Sequence, residues 1–154
     1  MSDRTAVPAT RGFTAIEMVI VVVLIGILTT VAIPFIRDGT IKSNVRGAAS
    51  AIASLHAVAR NAAVQRGRVS VLVLKGSTAT VLVALKRTGS TVMDTVGAVE
   101  NLGSRFGVAL STTQDSIIFT PRGIGTSASN TTVIVSRNNI SDTLTIAAAG
   151  RLLR

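Results

Sequence analysis

The chain opens with a polar stretch and then turns almost wholly apolar. Residues 1–12 carry Arg4, Arg11 and Pro8. From 13 to 36 the run is apolar, broken weakly by Thr29 and Thr30 and by one carboxylate, Glu17, near its start. About 20 such residues suffice to cross a bilayer as a helix. Beyond Pro34 the pattern becomes periodic. Ile41, Val45, Ala48, Ile52, Leu55, Ala59 and Ala62 recur at alternating steps of four and three, one stripe of a helix, while Lys42, Arg46, Ser50, Arg60 and Arg66 occupy the other faces. The pattern predicts one long helix over about 13–66, roughly 80 Å at about 1.5 Å per residue. Gly67 is its expected stop signal. The first half should span a membrane and the amphipathic second half, 37–66, should lie against a domain.

From Arg68 the period shortens. "RVSVLVLKGSTATVLVALKRTG" holds two Val/Leu-rich runs joined by "KGST" and predicts a hairpin over about 69–74 and 79–85. "RFGVALS", "SIIFTPRG", "NTTVIVSR" and "DTLTIAAAGRL" are further strand candidates, separated by Gly, Ser, Thr and Asn. The tract 89–103 is weakly patterned and reads as strand and loop. Six or seven short strands after one helix predict an α+β chain. In it, a long N-terminal α-helix packs on a C-terminal antiparallel β-sandwich-like head, residues 67–154.

Composition narrows the chemistry. The 154 residues leave room for one small head beyond the anchor. With four Phe and no Tyr or Trp, the core must be aliphatic, which suits strands. There is no cysteine, hence neither disulfide nor thiolate chemistry. The net charge of +9 favours anionic partners or simply a solubilising surface. Among seven carboxylates and one histidine, no spacing suggests paired acid–base groups or a metal site, so no catalytic residue, metal or cofactor is expected. His56, beside the apolar stripe, reads as structural.

Glu17 decides between readings of the N terminus. A secretory signal peptide would have a shorter apolar core and a small-residue exit. A plain membrane anchor leaves an acid inside the apolar run unexplained, and such residues are costly and usually functional. "RGFTAIEMVIVVVLIGILTTVAIP" resembles the class III signal of type IV pilins and pseudopilins. The resemblance implies that a prepilin peptidase cuts after Gly12, leaving residues 1–12 as leader, and that Phe13 becomes the N-methylated first residue. Glu17 then stands fifth in the mature chain, Pro34 at the helix-kinking position, and Gly26 where the helix loosens. The physical logic is charge pairing. Glu17 can neutralise the α-ammonium of Phe13 on a neighbouring subunit, and pairing lowers the cost of burying both.

The head resembles the GspH/FimT branch of minor pilins and pseudopilins through "ARNAAVQRGRVSVLV", "IIFTPRGIG" and "AAAGRLLR". Its Phe-x-Pro-x-Gly turn falls at Phe119, Pro121 and Gly123, and its closing Gly-Arg at Gly150 and Arg151. The resemblance implies a subunit of a type II secretion pseudopilus or a type IV pilus in the bacterial inner membrane. The head would be periplasmic, with other pilins, pseudopilins and secreted proteins as partners. The alternative is a DNA-binding minor pilin acting in DNA uptake. From Gly67 on, nine basic residues face four acidic ones, a net of +5, and Arg122, Arg137, Arg151 and Arg154 are the candidate contacts. "GRLLR" departs from the Gly-Arg-x-Arg of DNA-binding relatives, because two residues separate its arginines. Without Tyr or Trp to stack on bases, such binding would be electrostatic and indifferent to sequence.

Overall fold

The computed structural model describes residues 12–153, apart from the side chains of residues 34 and 35. The leader positions before Gly12, the expected kink at Pro34 and the candidate Arg154 therefore lie outside what it describes. The chain divides into two compact units, Met1–Asp38 and Gly39–Arg154. The helix α1, Ala15–Arg66, runs through both.

In the first unit, Thr14 starts the helix. Its Oγ1 accepts the Glu17 N–H at 3.3 Å and its carbonyl accepts the Met18 N–H at 3.2 Å. A Thr followed three residues later by Glu is a helix-starting pattern, and Glu17 sits where the helix dipole favours negative charge. The apolar residues that follow, from Ile16 to Ile33, are exposed within the chain. Thr29 and Thr30 do not break the run, because their hydroxyls donate to Ile25 and Gly26 carbonyls at 2.7 and 2.9 Å. No hydroxyl proton there needs water.

In the second unit the helix buries Val45, Ala48, Ala49, Ile52, His56, Ala59, Ala62 and Ala63. The stripe expected from the sequence is present but rotated. Ala49, His56 and Ala63 lie in it, whereas Ile41 and Leu55 are only half-buried at its margin. Alanine dominates this stripe, while Ile52 and Val45 supply about 1.5–3 kcal/mol each of apolar burial. Gly67 ends α1 as expected. At φ +59 it occupies the left-handed region, its N–H meets the Val64 carbonyl and the Arg68 N–H meets that of Ala63, a Schellman closure.

Two antiparallel sheets follow. The first has the order β3-β2-β1-β5 and the second β4-β6-β7-β8. β1 (Ser70–Lys75) and β2 (Thr80–Lys86) form the expected hairpin, one residue later than anticipated, around a 3-10 turn at Gly76–Thr78. β3 (Met93–Asn101) occupies most of the weakly patterned tract. Its residues are at most half-buried, which is why it showed no alternation. A short helix, α2 (Leu102–Phe106), replaces the start of the strand anticipated at "RFGVALS". Asn101 caps it by accepting the Ser104 N–H at 2.9 Å, and β4 (Ala109–Thr112) comes only after it. β5 (Ser116–Phe119) completes the first sheet, and β6 (Thr131–Arg137), β7 (Ile140–Ile146) and β8 (Leu152–Leu153) complete the second. One core joins the helix stripe with Leu72, Leu74, Val83 and Phe119 of the first sheet and Val133, Val135, Leu144 and Ile146 of the second.

Candidate assembly segment and the closure of the head

Three of the residues singled out for processing and assembly are described. Gly12 and Phe13 are exposed and precede the helix, and Glu17 is exposed in its first turn. Thr14, which the sequence reading passed over, is the residue that fixes this turn. The Thr-x-x-Glu spacing was the signal for it.

At the other end of the chain, the Phe-x-Pro-x-Gly turn and the closing segment meet on the helix. Thr120 and Ile124 close the turn through the Thr120 N–H and the Ile124 carbonyl at 2.9 Å. Gly125 then crosses the closing segment. Its N–H donates to the Ala149 carbonyl at 2.9 Å, and a Cβ there would stand 2.5 Å from the Gly150 nitrogen and 2.7 Å from the Ala148 oxygen. Only glycine fits so close to another backbone. The Gly150 carbonyl in turn accepts from His56 Nε2 at 3.1 Å, and the imidazole sits edge-on to the Phe119 ring at 5.2 Å. Because a carbonyl only accepts, Nε2 carries the proton. The sole histidine is thus a structural clasp between α1, β5 and the closing segment.

Burial pushes the His56 pKa below its usual 6.5, the Gly150 carbonyl works against that and nearby Arg60 adds to it. The unfolded chain therefore takes up a proton that the folded one resists. Stability should be free of this effect above about pH 7 and should fall as pH drops through the unfolded value. Melting of the full chain in neutral detergent at pH 8 and pH 5 checks this. His56→Gln, which keeps an N–H donor, should show a shallower acid decline than the parent.

The candidate DNA contacts are dispersed. Arg137 is half-buried, and its Nη1 donates to the Phe106 carbonyl at 2.7 Å, closing the C-terminal end of α2. Arg122 is exposed in the 120–124 turn, whose Gly123 abuts Arg60 and Val64 of α1. Phe106 abuts Gly47 instead. Thirteen helical residues separate Gly47 from Arg60, about 20 Å, so Arg137 and Arg122 serve different regions of the head. Arg151 is exposed, and its carbonyl accepts the Ala147 N–H at 2.8 Å. Among the described residues, no group of three or more His, Cys, Asp or Glu could hold a metal ion.

Comparison with known proteins fits this architecture. Residues 48–150 match the family described as type II transport protein GspH. The chain belongs to the GspH family. Two crystal structures of the type IV minor pilin FimU of Pseudomonas aeruginosa share the fold of this GspH-family chain. One has 19% identity and a TM-score of 0.57, covering 72% of this chain and 87% of FimU. The other has 20% identity and a TM-score of 0.54, covering 70% and 90%. Two fimbrial proteins of Pseudomonas aeruginosa are 44% identical over 54 residues, and the match spans 35% of this chain and 35% of each of them. The chain thus spans about a third of the length of those relatives. Together the family match, fold and apolar helix make this a minor-pilin or pseudopilin-type protein.

Proposed function

We propose that this GspH-family protein is a minor structural subunit of a pilin-type filament. Prepilin peptidase cuts it between Gly12 and Phe13 and methylates Phe13. The apolar segment 13–36 holds it in the bacterial inner membrane with its head in the periplasm. Glu17 then pairs with the Phe13 ammonium of a neighbour as the subunit enters a type IV pilus or type II secretion pseudopilus, where sibling subunits and secreted proteins are its contacts. The observation that carries this reading is an apolar helix segment left uncovered by its own chain, with a single carboxylate in the first turn, continuous with a GspH-type head. Such a segment needs lipid before assembly and other helices after it. A second reading, a subunit that contacts duplex DNA during uptake, draws on the exposed Arg122 and Arg151.

The test is processing. In a strain lacking prepilin peptidase the chain should keep its leader and be missing from the sheared filament fraction. Gly12→Ala should leave the same uncut band in a strain with the peptidase. A fully processed Gly12→Ala chain, or a chain present in filaments without the peptidase, would refute the assignment.

A further inference from the structure

The residues just beyond α1 build a cationic pocket that no role described so far uses. Arg68 Nε–H donates to the Lys86 carbonyl at 2.9 Å, which fixes its guanidinium beside the end of β2. Its Nη2 is buried and has no hydrogen-bond partner. The carboxylate oxygen facing it, Asp94 Oδ2, is 3.8 Å away, beyond hydrogen-bond reach. That carboxylate is already engaged on both oxygens, since Arg87 Nη2 donates to Asp94 Oδ1 at 2.9 Å and Arg87 Nε to Asp94 Oδ2 at 3.4 Å. One anion is therefore shared by two guanidiniums, with Lys86 adjoining. A buried donor left unmatched costs free energy that an added acceptor would recover.

The surroundings supply more donors. Gly67, Arg68, Lys86, Arg87, Thr88 and Pro121 line a pocket of about 230 Å³. Thr88 and Gly89 form the centre of a turn closed by the Ser90 N–H on the Arg87 carbonyl. Their own N–H groups have no acceptor among the described residues. Arg122 follows Pro121 in the chain and is exposed, and Arg60 lies against the neighbouring Gly123. The negative end of the α1 dipole would oppose an anion. The Gly67 and Arg68 N–H groups already engage two of its terminal carbonyls, which blunts that opposition.

We propose that this pocket is a phosphate-group site. A tetrahedral oxyanion matches the unpartnered Arg68 Nη2, the cationic Lys86 and the amides of the 87–90 turn, and it competes with Asp94 for Arg87. Inorganic phosphate and a phosphodiester chain both present that group, and Arg60 and Arg122 extend the cationic surface toward the longer ligand. The site stands apart from the filament reading: a chain that bound phosphate and never entered a filament would keep the one and lose the other.

The experiment uses the full chain in neutral detergent. One arm titrates inorganic phosphate by calorimetry. The other titrates a fluorescein-labelled 12-base-pair duplex by anisotropy at several salt concentrations. Arg87→Ala and Lys86→Ala, both at exposed positions, should each weaken binding by about tenfold, the effect of one charge-assisted contact. Asp94→Asn removes the competing carboxylate and should tighten binding several-fold, a gain that misfolding does not mimic. Arg105→Ala deletes the same charge elsewhere, where Arg105 pairs with Glu100 at 3.1 Å, and should stay within about twofold. Tight duplex binding with steep salt dependence would identify the ligand as a phosphodiester chain, and binding of phosphate alone would identify free phosphate. Equal losses in Arg105→Ala and Arg87→Ala would overturn the pocket in favour of diffuse attraction. So would failure of Asp94→Asn to tighten, or absence of binding in both arms.

Discussion

Gly125→Ala is expected to destabilise the head by about 3 kcal/mol or more, the upper range for forcing extra volume into a packed site. The added Cβ would meet the Gly150 nitrogen at 2.5 Å, the Ala148 oxygen at 2.7 Å and the Gly150 Cα at 2.8 Å. All three are backbone atoms, so no side chain can rotate away. Relief requires the closing segment to lift. That breaks the Gly125 to Ala149 bond and pulls the Gly150 carbonyl off His56. The melting temperature of the full chain in detergent should drop by roughly 10 °C. Gly39→Ala is the contrast. It lies within α1 and has nothing within 4 Å of its added Cβ, so it should be neutral or stabilising by up to about 1 kcal/mol. Equal melting of Gly125→Ala and the parent would refute the proposed crossing of backbones.

Glu17→Ala should leave membrane insertion intact, or slightly easier, and should nearly abolish entry into filaments. An unpaired carboxylate opposes insertion, so its loss does no harm at that step. Inside a filament the balance reverses. Removing one member of a buried ion pair costs about 3–5 kcal/mol, because the other charge stays behind unpaired. At about 1.4 kcal/mol per factor of ten, incorporation should fall by at least about a hundredfold. Glu17→Gln separates charge from shape. It keeps the side-chain size and should fail nearly as badly. The readout is the share of the chain in sheared filaments relative to membranes, and wild-type incorporation of Glu17→Ala would remove charge pairing from the account.

Much of the fold was legible because the relevant signals are local. The apolar run, the switch to steps of four and three at Ile41, and Gly67 as terminator define α1 without help from distant residues. The β1–β2 hairpin was legible for the same reason. Ala49 and Ala63 were missed as core because small side chains carry little apolar signal, although they fall on the buried stripe, whereas His56 was read as structural beside the stripe and lies within it. β3 was blurred because both its faces are substantially exposed, and α2 because five residues are too few to show a period. Among the candidate functional residues, Gly12, Phe13 and Glu17 stood out through fixed spacing along one segment. The Arg68 cluster did not, since it draws on residues beyond α1, on the end of β2 and on β3. Arg137 looked like any other exposed base until its bond to Phe106, 31 positions earlier, was seen.

The clasp between His56 and Gly150 joins positions 94 apart in the chain. A contact so distant in sequence is slow to form and can only follow synthesis of nearly the whole head. Until then His56 lacks its acceptor, the Phe119 ring lacks the backbone that covers it, and β7 lacks β8 as its neighbour. The head therefore has a built-in completeness check. A translation product that stops before position 147 keeps α1 but none of the closing segment. Its core would be open at one end and more readily cut by proteases than that of the finished head.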